Sequence, residues 1–300
     1  MSTAEIISEI SPELLAESYR YCEKIARDQA RNFYYSFLTL PHDQKLSMCA
    51  IYAFMRTTDD VSDEEGDPSD KKQQLNSWRI SLESALTGKY GTSKILPAFH
   101  HTLIRYQIPP KYIRDLIDGA EMDLTISRYD TWSDLQNYCY KVASVVGFIC
   151  LYVWGFDESE GKAILYGNAC GLAFQLTNIL RDISEDSQRN RVYLPQEDLM
   201  RYHVSEQTLQ AGKMNQDLYS LLEFETERAE CLYNEAEKLI PLVHPSGRPT
   251  LRIMIRIYRG ILDDIKLNNY DVFSRRARAS TLSKLRIVFS EWVNSKLKRK

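Results

Sequence analysis

Apolar residues recur at helical spacing along almost the whole chain, while strand-like alternation bounded by turns is scarce. The spacing predicts helices over about 12–30, 43–64, 70–87, 92–106, 110–123, 132–154, 158–186, 205–240, 248–268 and 280–297. The breaks agree with this division. Pro12 follows Ser11 at one helix start, Pro41 opens the next helix, and Gly66-Asp67-Pro68 ends it. Gly88, Pro109-Pro110, Gly155, Pro195 and the cluster of Pro241, Pro245, Gly247 and Pro249 mark further breaks. No linker is long or low in complexity, and no repeat of fixed period is present. The most apolar run, Val142 to Phe156, is too short for a typical membrane span and reads as a buried helix. The expected fold is all-α: a single domain over residues 1–300, a helical bundle around a buried central helix.

Composition changes this picture little. The 300 residues are 44% hydrophobic and 26% charged, as in ordinary soluble domains, and a chain of this length buries a core without staples. A formal net charge of −3 gives no general attraction for nucleic acid, so a phosphate site has to be built locally. The cysteines Cys22, Cys49, Cys139, Cys150, Cys170 and Cys231 form no C-x-x-C pair and read as free thiols of a reducing compartment. The N-terminus has no basic segment followed by an apolar core, so no signal peptide is expected. The final KLKRK reads as a solvated tail rather than a membrane-surface contact.

Two acidic helix ends carry the candidate chemistry. In the first, Tyr52, Arg56, Asp59 and Asp63 share one helical stripe. Acids there face the negative end of the helix dipole, and like charges at i, i+4 repel. A positive partner is needed, and magnesium takes such oxygen ligands together with substrate phosphates. In the second, Gln175, Asn178, Asp182 and Asp186 form a polar stripe opposite Leu176, Ile179, Leu180 and Ile183. A single acidic helix end is usually a solvated surface. Two matched stripes, each with arginines close by, fit two facing helices that hold metal ions around a diphosphate. Arg56, Arg181, Arg189 and Arg191 supply guanidinium forks for the remaining phosphate oxygens. Loss of diphosphate leaves a carbocation, which calls for a water-poor cavity with aromatic walls.

At these residues the chain resembles the squalene/phytoene synthase family of head-to-head prenyl transferases. The resemblance spans about residues 18–285 and rests on ARNFYYSFLTLP (30–41), AIYAFMRTTDDVSDE (50–64), NYCYKVASVVG (137–147), AFQLTNILRDISEDSQRNRVYLPQEDL (173–199) and YDVFSRRARAS (270–280). The segment at 173–199 is the most specific, because its order of amide, acids, arginines and Tyr-Leu-Pro is hard to reach by chance. The resemblance implies a helical bundle of the class I isoprenoid synthase type with a central catalytic cavity. It implies Asp59 and Asp63 as one metal-binding pair, and Asn178, Asp182 and Asp186 as the second set, for Mg²⁺ or Mn²⁺. Arg31, Arg56, Arg181, Arg189 and Arg275 would contact diphosphate. Tyr52, Tyr138 and Tyr258 would stand near the reacting carbons or the diphosphates, and Phe33, Val142, Val146, Gly147, Leu172 and Gln175 would line the prenyl channels.

Within the family, FYYSFLTLP and RVYLPQEDL look closest to bacterial presqualene diphosphate synthases. The implied reaction joins two farnesyl diphosphates into presqualene diphosphate, and on to squalene where NADPH supplies hydride, in squalene and hopanoid synthesis. Condensation of two geranylgeranyl diphosphates to phytoene, a carotenoid step, is the alternative. Asn32 and Thr57-Thr58 depart from the family pattern and bear on channel shape. A cytoplasmic enzyme is expected, with peripheral contact at the inner membrane open because the substrates are greasy. Other motifs carry less. No histidine has an H-E-x-x-H context, and aligning Gly66 to an EF-hand glycine puts Val61 where an aspartate is needed. A chain-elongating prenyltransferase would carry a second D-D-x-x-D, where this chain reads Asp182-Ile-Ser-Glu-Asp186. A non-catalytic helical metal-binding scaffold, the reading from another class, leaves the matched stripes unexplained.

Overall fold

The computed structural model describes residues 10–63 and 66–297, with the side chains of 31–33, 62, 63, 68, 159, 292 and 294–297 outside the description. Helix α1 (Pro12–Gln29) begins where the Ser11 hydroxyl accepts from the Leu14 N–H at 3.2 Å, with Pro12 in the first turn. It is followed by α2 (Arg31–Phe37), α3 (His42–Asp63) and α4 (Pro68–Ala85). The last is capped by Asp67, whose carboxylate accepts from the Ser69 N–H at 2.8 Å. After α5 (Leu96–Arg105) and α6 (Pro110–Thr125), a Thr131/Asp134 capping box starts α7 (Trp132–Cys139). This helix runs through a π-helical turn (Tyr140–Ser144) into α8 (Val145–Trp154). Gly155, at φ +79°, ends that run.

The central helix, α9 (Lys162–Gln188), precedes two short ones, α10 (Gln196–Arg201) and α11 (Glu206–Ala211). The bundle closes with α12 (Gln216–Glu237), α13 (Arg248–Leu267) and α14 (Thr281–Leu297). Among the described residues no strand forms, only the isolated bridges Arg128–Val192 and Phe156–Val243. The expected helices are present. The helix expected over 205–240 is two, because Gly212 turns the chain at φ +63° and Asn215 caps α12 by accepting from the Leu218 N–H at 2.8 Å. The short α2 and α10 fall where no helix was expected.

The core is organised by α9, which packs most extensively on α12 and also on α8, α13 and the π turn. Small residues along it, Gly167, Ala169, Cys170, Gly171 and Ala173, permit this crowding. A methyl at Gly171 would lie 2.4 Å from the Ser144 Cα, so only glycine lets α9 meet the π turn. This contact fixes the position of Tyr138 and Val142 relative to the polar stripe of α9. A second layer joins α3, α4 and α5 through Phe54, which stacks on Phe99 at 4.0 Å and on Trp78 at 5.0 Å between ring centroids. Helix α9 is long and apolar enough to cross a membrane, yet 56% of its most apolar window is buried inside the bundle. That burial and the carboxylates at its end mark it as the core helix. Five of the cysteines are buried, Cys231 is exposed, and all are free thiols.

Candidate active site

Two cavities meet inside the bundle. The polar one, about 390 Å³, receives Asp59 from α3, and Gln175, Asn178, Asp182 and Asp186 from α9. Arg181, Arg189, Arg191 and Tyr193 add to its polar lining, and Leu116, Ala120, Tyr138, Val142 and Ile179 form an apolar wall. The second cavity, about 290 Å³, is mainly apolar and lies among Phe37, Met48, Ile51, Val146, Cys150 and Met254. Tyr52 and Arg56 stand at its polar end. Met55 and Asp59 belong to both cavities, so the carboxylate of Asp59 sits where the polar and apolar lobes join.

The polar lobe is electrostatically poised. Arg181 grips Asp182 bidentately, at 2.8 Å from Nε and 2.5 Å from Nη2. Arg276, from the connection between α13 and α14, adds a contact from Nη2 to Asp182 Oδ1 at 2.7 Å and lies 3.5 Å from Glu185. Burial, and then the charge of Asp182, pushes the Asp186 carboxyl up to about 7. Arg56 pairs with Asp60 one turn along α3, and its Nε is buried without a hydrogen-bond partner. Asn178 donates to Gln175 Oε1 at 3.3 Å, while its own Oδ1 is buried and accepts nothing from the described residues. A buried acceptor left without a donor is costly, and such atoms mark places where a ligand belongs.

The aromatic lining is held by a network beside the acids. Tyr129, Tyr138 and Tyr193 pack as a trio with ring centroids 5.3–6.0 Å apart. The Tyr193 hydroxyl donates to Asp123 Oδ1 at 2.9 Å, and Arg191 Nη2 donates to the Asp123 carbonyl at 3.0 Å. Burial, then the Asp123 charge, keeps the Tyr138 phenol well above its ordinary range, hence neutral. Tyr258 stacks on Phe174 at 4.3 Å, and its hydroxyl faces Asn178 and Arg181. The loop bearing Arg189, Arg191 and Tyr193 leads into α10, which is tied down by Arg228. That guanidinium donates to Asp198 and Glu225 at 2.8 Å each and lies 4.4 Å from the Trp132 ring centroid.

Most of the expected site residues converge. Asp59, Tyr138, Val142, Gln175, Asn178, Arg181, Asp182, Asp186 and Arg189 line the polar lobe, and Tyr52, Arg56 and Val146 the apolar one. Leu172 is buried and Gly147 faces the Gly167 carbonyl, and neither is among the residues that line these two lobes. Arg275 stands apart: both its terminal nitrogens hold Asp264, at 2.5 and 2.9 Å, and its neighbour Arg276 reaches Asp182 instead. The side chains of Arg31, Phe33 and Asp63 lie outside the described residues. Sequence reasoning missed Asp123, Met55 and Arg276. Met55 and Arg276 left a signal, each lying inside a motif already singled out, whereas Asp123 left none.

The donors fit a hard divalent cation. They are all oxygens, come from two helices, and include the orphaned Asn178 Oδ1. Among the described residues no three acidic, histidine or cysteine side chains form a metal cluster by themselves. That agrees with magnesium practice, in which one or two carboxylates and substrate phosphates share the ion.

Comparison with known proteins gives a consistent answer. The family model described as squalene/phytoene synthase matches residues 26–283. A phytoene synthase of Arthrospira platensis is 35% identical over 92% of this chain and 92% of its own length. The 15-cis-phytoene synthase of Synechocystis sp. is 35% identical over 94% of this chain and 86% of its own. Among solved structures, a dehydrosqualene synthase superposes with a TM-score of 0.85 at 29% identity, over 95% of this chain and 98% of its own. The squalene synthase HpnC from Alicyclobacillus acidocaldarius gives 0.80 at 26% identity, over 88% and 98%. With the stripes of α3 and α9 meeting over one two-lobed cavity, the chain belongs to the squalene/phytoene synthase family of prenyl transferases.

Proposed function

We propose that the chain joins two molecules of geranylgeranyl diphosphate head to head in a magnesium-dependent reaction that ends in phytoene. The observation that carries the reaction class is the junction at Asp59. A diphosphate in the polar lobe would direct its prenyl chain into the apolar lobe, with the breaking bond between them, because Met55 and Asp59 line both lobes. The wall of Leu116, Ala120, Val142 and Ile179 leaves a second apolar surface for the second prenyl chain.

Asp59, Asn178, Asp182 and Asp186 would hold the ions, with Asp63 expected beside Asp59. Magnesium supplies positive charge that stabilises the departing diphosphate. Arg56, Arg181, Arg189 and Arg191 bind the other phosphate oxygens and keep the leaving group in place. The allylic cation left behind is attacked by the 2,3 double bond of the second substrate. Loss of one proton then closes a cyclopropane that still bears its diphosphate. Departure of that diphosphate, rearrangement, and loss of a second proton give a C40 hydrocarbon with a conjugated triene at its centre, without any hydride donor. Neutral Tyr138 and Tyr193 offer π faces to the cations, and the apolar walls exclude water that would otherwise quench them.

The cyanobacterial relatives named phytoene synthases share more of this chain's sequence than the two synthases of known structure do, which supports the C20 substrate. The farnesyl reading of the sequence keeps two supports, the likeness to a dehydrosqualene synthase structure and the likeness to a squalene synthase structure. Incubation with each diphosphate and Mg²⁺, with and without NADPH, followed by mass spectrometry, separates the two. The expected result is phytoene from geranylgeranyl diphosphate, independent of NADPH. Products from farnesyl diphosphate alone would transfer the assignment to the C15 reaction, with NADPH dependence marking squalene. No consumption of either would refute the catalytic reading.

A further inference from the structure

We propose that Arg128 is a positioning residue that aims Arg189 and Arg191 at the diphosphate, an inference that rests on the reading of those two arginines as phosphate contacts. Helix α9 ends in a reversing turn. The Asn190 N–H donates to the Ser187 carbonyl at 3.1 Å and the Arg191 N–H to the Asp186 carbonyl at 2.9 Å, the paired bonds of a Schellman ending. Asn190 holds the left-handed conformation of that motif, at φ +57°. Asparagine tolerates it and, unlike the more usual glycine, adds a side-chain amide. The turn sends its flanking residues, Arg189 and Arg191, to the polar lobe. Asn190 itself is exposed and is not among the residues lining either lobe.

Asn190 is held instead by Arg128, from the connection between α6 and α7, which is also not among the lining residues. Its Nη1 donates to the Asn190 carbonyl at 2.7 Å and its Nη2 to the Asn190 Oδ1 at 2.9 Å. Nη1 also donates to the Ser127 carbonyl at 2.8 Å, while Nε and Nη2 hold the Glu206 carboxylate at 2.6 and 2.8 Å. These bonds occupy all five N–H donors of a guanidinium, so Arg128 has none left for a phosphate. Glu206 offsets its charge. What Arg128 supplies is therefore the placement of one turn. The Val192 N–H, donating to the Ser127 carbonyl at 3.0 Å, ties the same two segments just beyond the arginines. Exposed ion pairs contribute little, but the Arg128 and Glu206 side chains are only 25% and 30% exposed. Their bonds converge on the residue between two lobe arginines. A planar fork has to be well aimed to meet phosphate oxygens, and a side chain on a fixed backbone loses less freedom when it binds.

The probe is inorganic pyrophosphate with Mg²⁺, titrated calorimetrically into the full chain, so that binding is read without turnover. Arg128→Ala is expected to weaken it about 10-fold, with thermal unfolding showing a folded chain. Replacing Arg189 and Arg191 together by glutamine is expected to weaken it about 100-fold, and adding Arg128→Ala to that variant to cost less than about 2-fold more. Action through the two arginines requires this non-additivity, whereas a merely structural role gives the same loss in both backgrounds. Arg128→Lys keeps the charge but offers only three donors, and is expected to bind nearly as weakly as Arg128→Ala. Asn190→Gly keeps the turn and loses only the amide oxygen; it is expected to weaken binding about 3-fold, and carries the same test should Arg128→Ala misfold. Equal losses in the two backgrounds would overturn the proposal, as would full rescue by Arg128→Lys. Parent-like binding by Arg128→Ala beside weak binding by the double-glutamine variant would overturn it while leaving the phosphate contacts standing. Parent-like binding by the double-glutamine variant would overturn the reading of Arg189 and Arg191 as phosphate contacts, and the proposal with it.

Discussion

Asn178 sits one turn before Asp182 on the same face of α9, with a buried amide oxygen that no donor among the described residues satisfies. Its cost is recovered when a cation or a ligand proton meets that oxygen. Arg276 shows the complementary arrangement, a cation from a connecting segment placed on the carboxylate of Asp182, the residue proposed to hold metal. Substitution of Arg276 by alanine is expected to raise KM for the diphosphate substrate and lower kcat/KM by roughly 10- to 100-fold. Arg275→Ala, which breaks only an exposed pair with Asp264, is expected to leave both constants near the parent values. Steady-state kinetics on the two variants checks this, and equal losses would show that the pairing with Asp264 matters to the site. At this scale the helical residues were legible and the loop residue was not. Asp59 and Asp182 follow from a 3.6-residue period that aims each side chain. The segment between α13 and α14 has no period, so nothing in its sequence says which of two adjacent arginines turns inward.

Among the elements, α9 and the π turn decide the shape of the polar lobe. Apolar periodicity revealed α9 as a buried helix, and its acidic end stood out against it. The π turn at Tyr140–Ser144 left no mark, because an extra residue in a helical turn interrupts no apolar run. The break at Gly212 was also passed over, since the apolar spacing on either side of it continues into α12. Gly171 is where α9 and the π turn touch, and a Cβ there would also meet the Ser144 amide nitrogen at 2.6 Å. Gly171→Ala is expected to destabilise the fold by about 1–3 kcal/mol, since backbone must shift to admit the methyl. Denaturant unfolding measures that loss. Activity should fall further than stability requires, because the displaced turn carries Val142 of the cavity wall.

For the whole molecule, the arrangement that matters is the joining of two unlike volumes at one carboxylate. A soluble bundle gains stability by filling its interior with apolar side chains. This one instead keeps a polar chamber of about 390 Å³ against an apolar one of about 290 Å³, with Asp59 at their boundary and the acids that end α9 inside the polar chamber. The matched stripes could be read from the sequence, whereas the two volumes could not, because cavity shape depends on how every helix packs. The account stands on the claim that Asp59 and Asp182, from opposite walls, act together on a metal-bound diphosphate. The most direct test is the rate of diphosphate release from geranylgeranyl diphosphate as Mg²⁺ is titrated, for the parent chain and for Asp59→Asn and Asp182→Asn. The account predicts release that requires Mg²⁺ in the parent and falls at least about 100-fold in each variant, with helical circular dichroism unchanged. Release at the parent rate from both variants would contradict it.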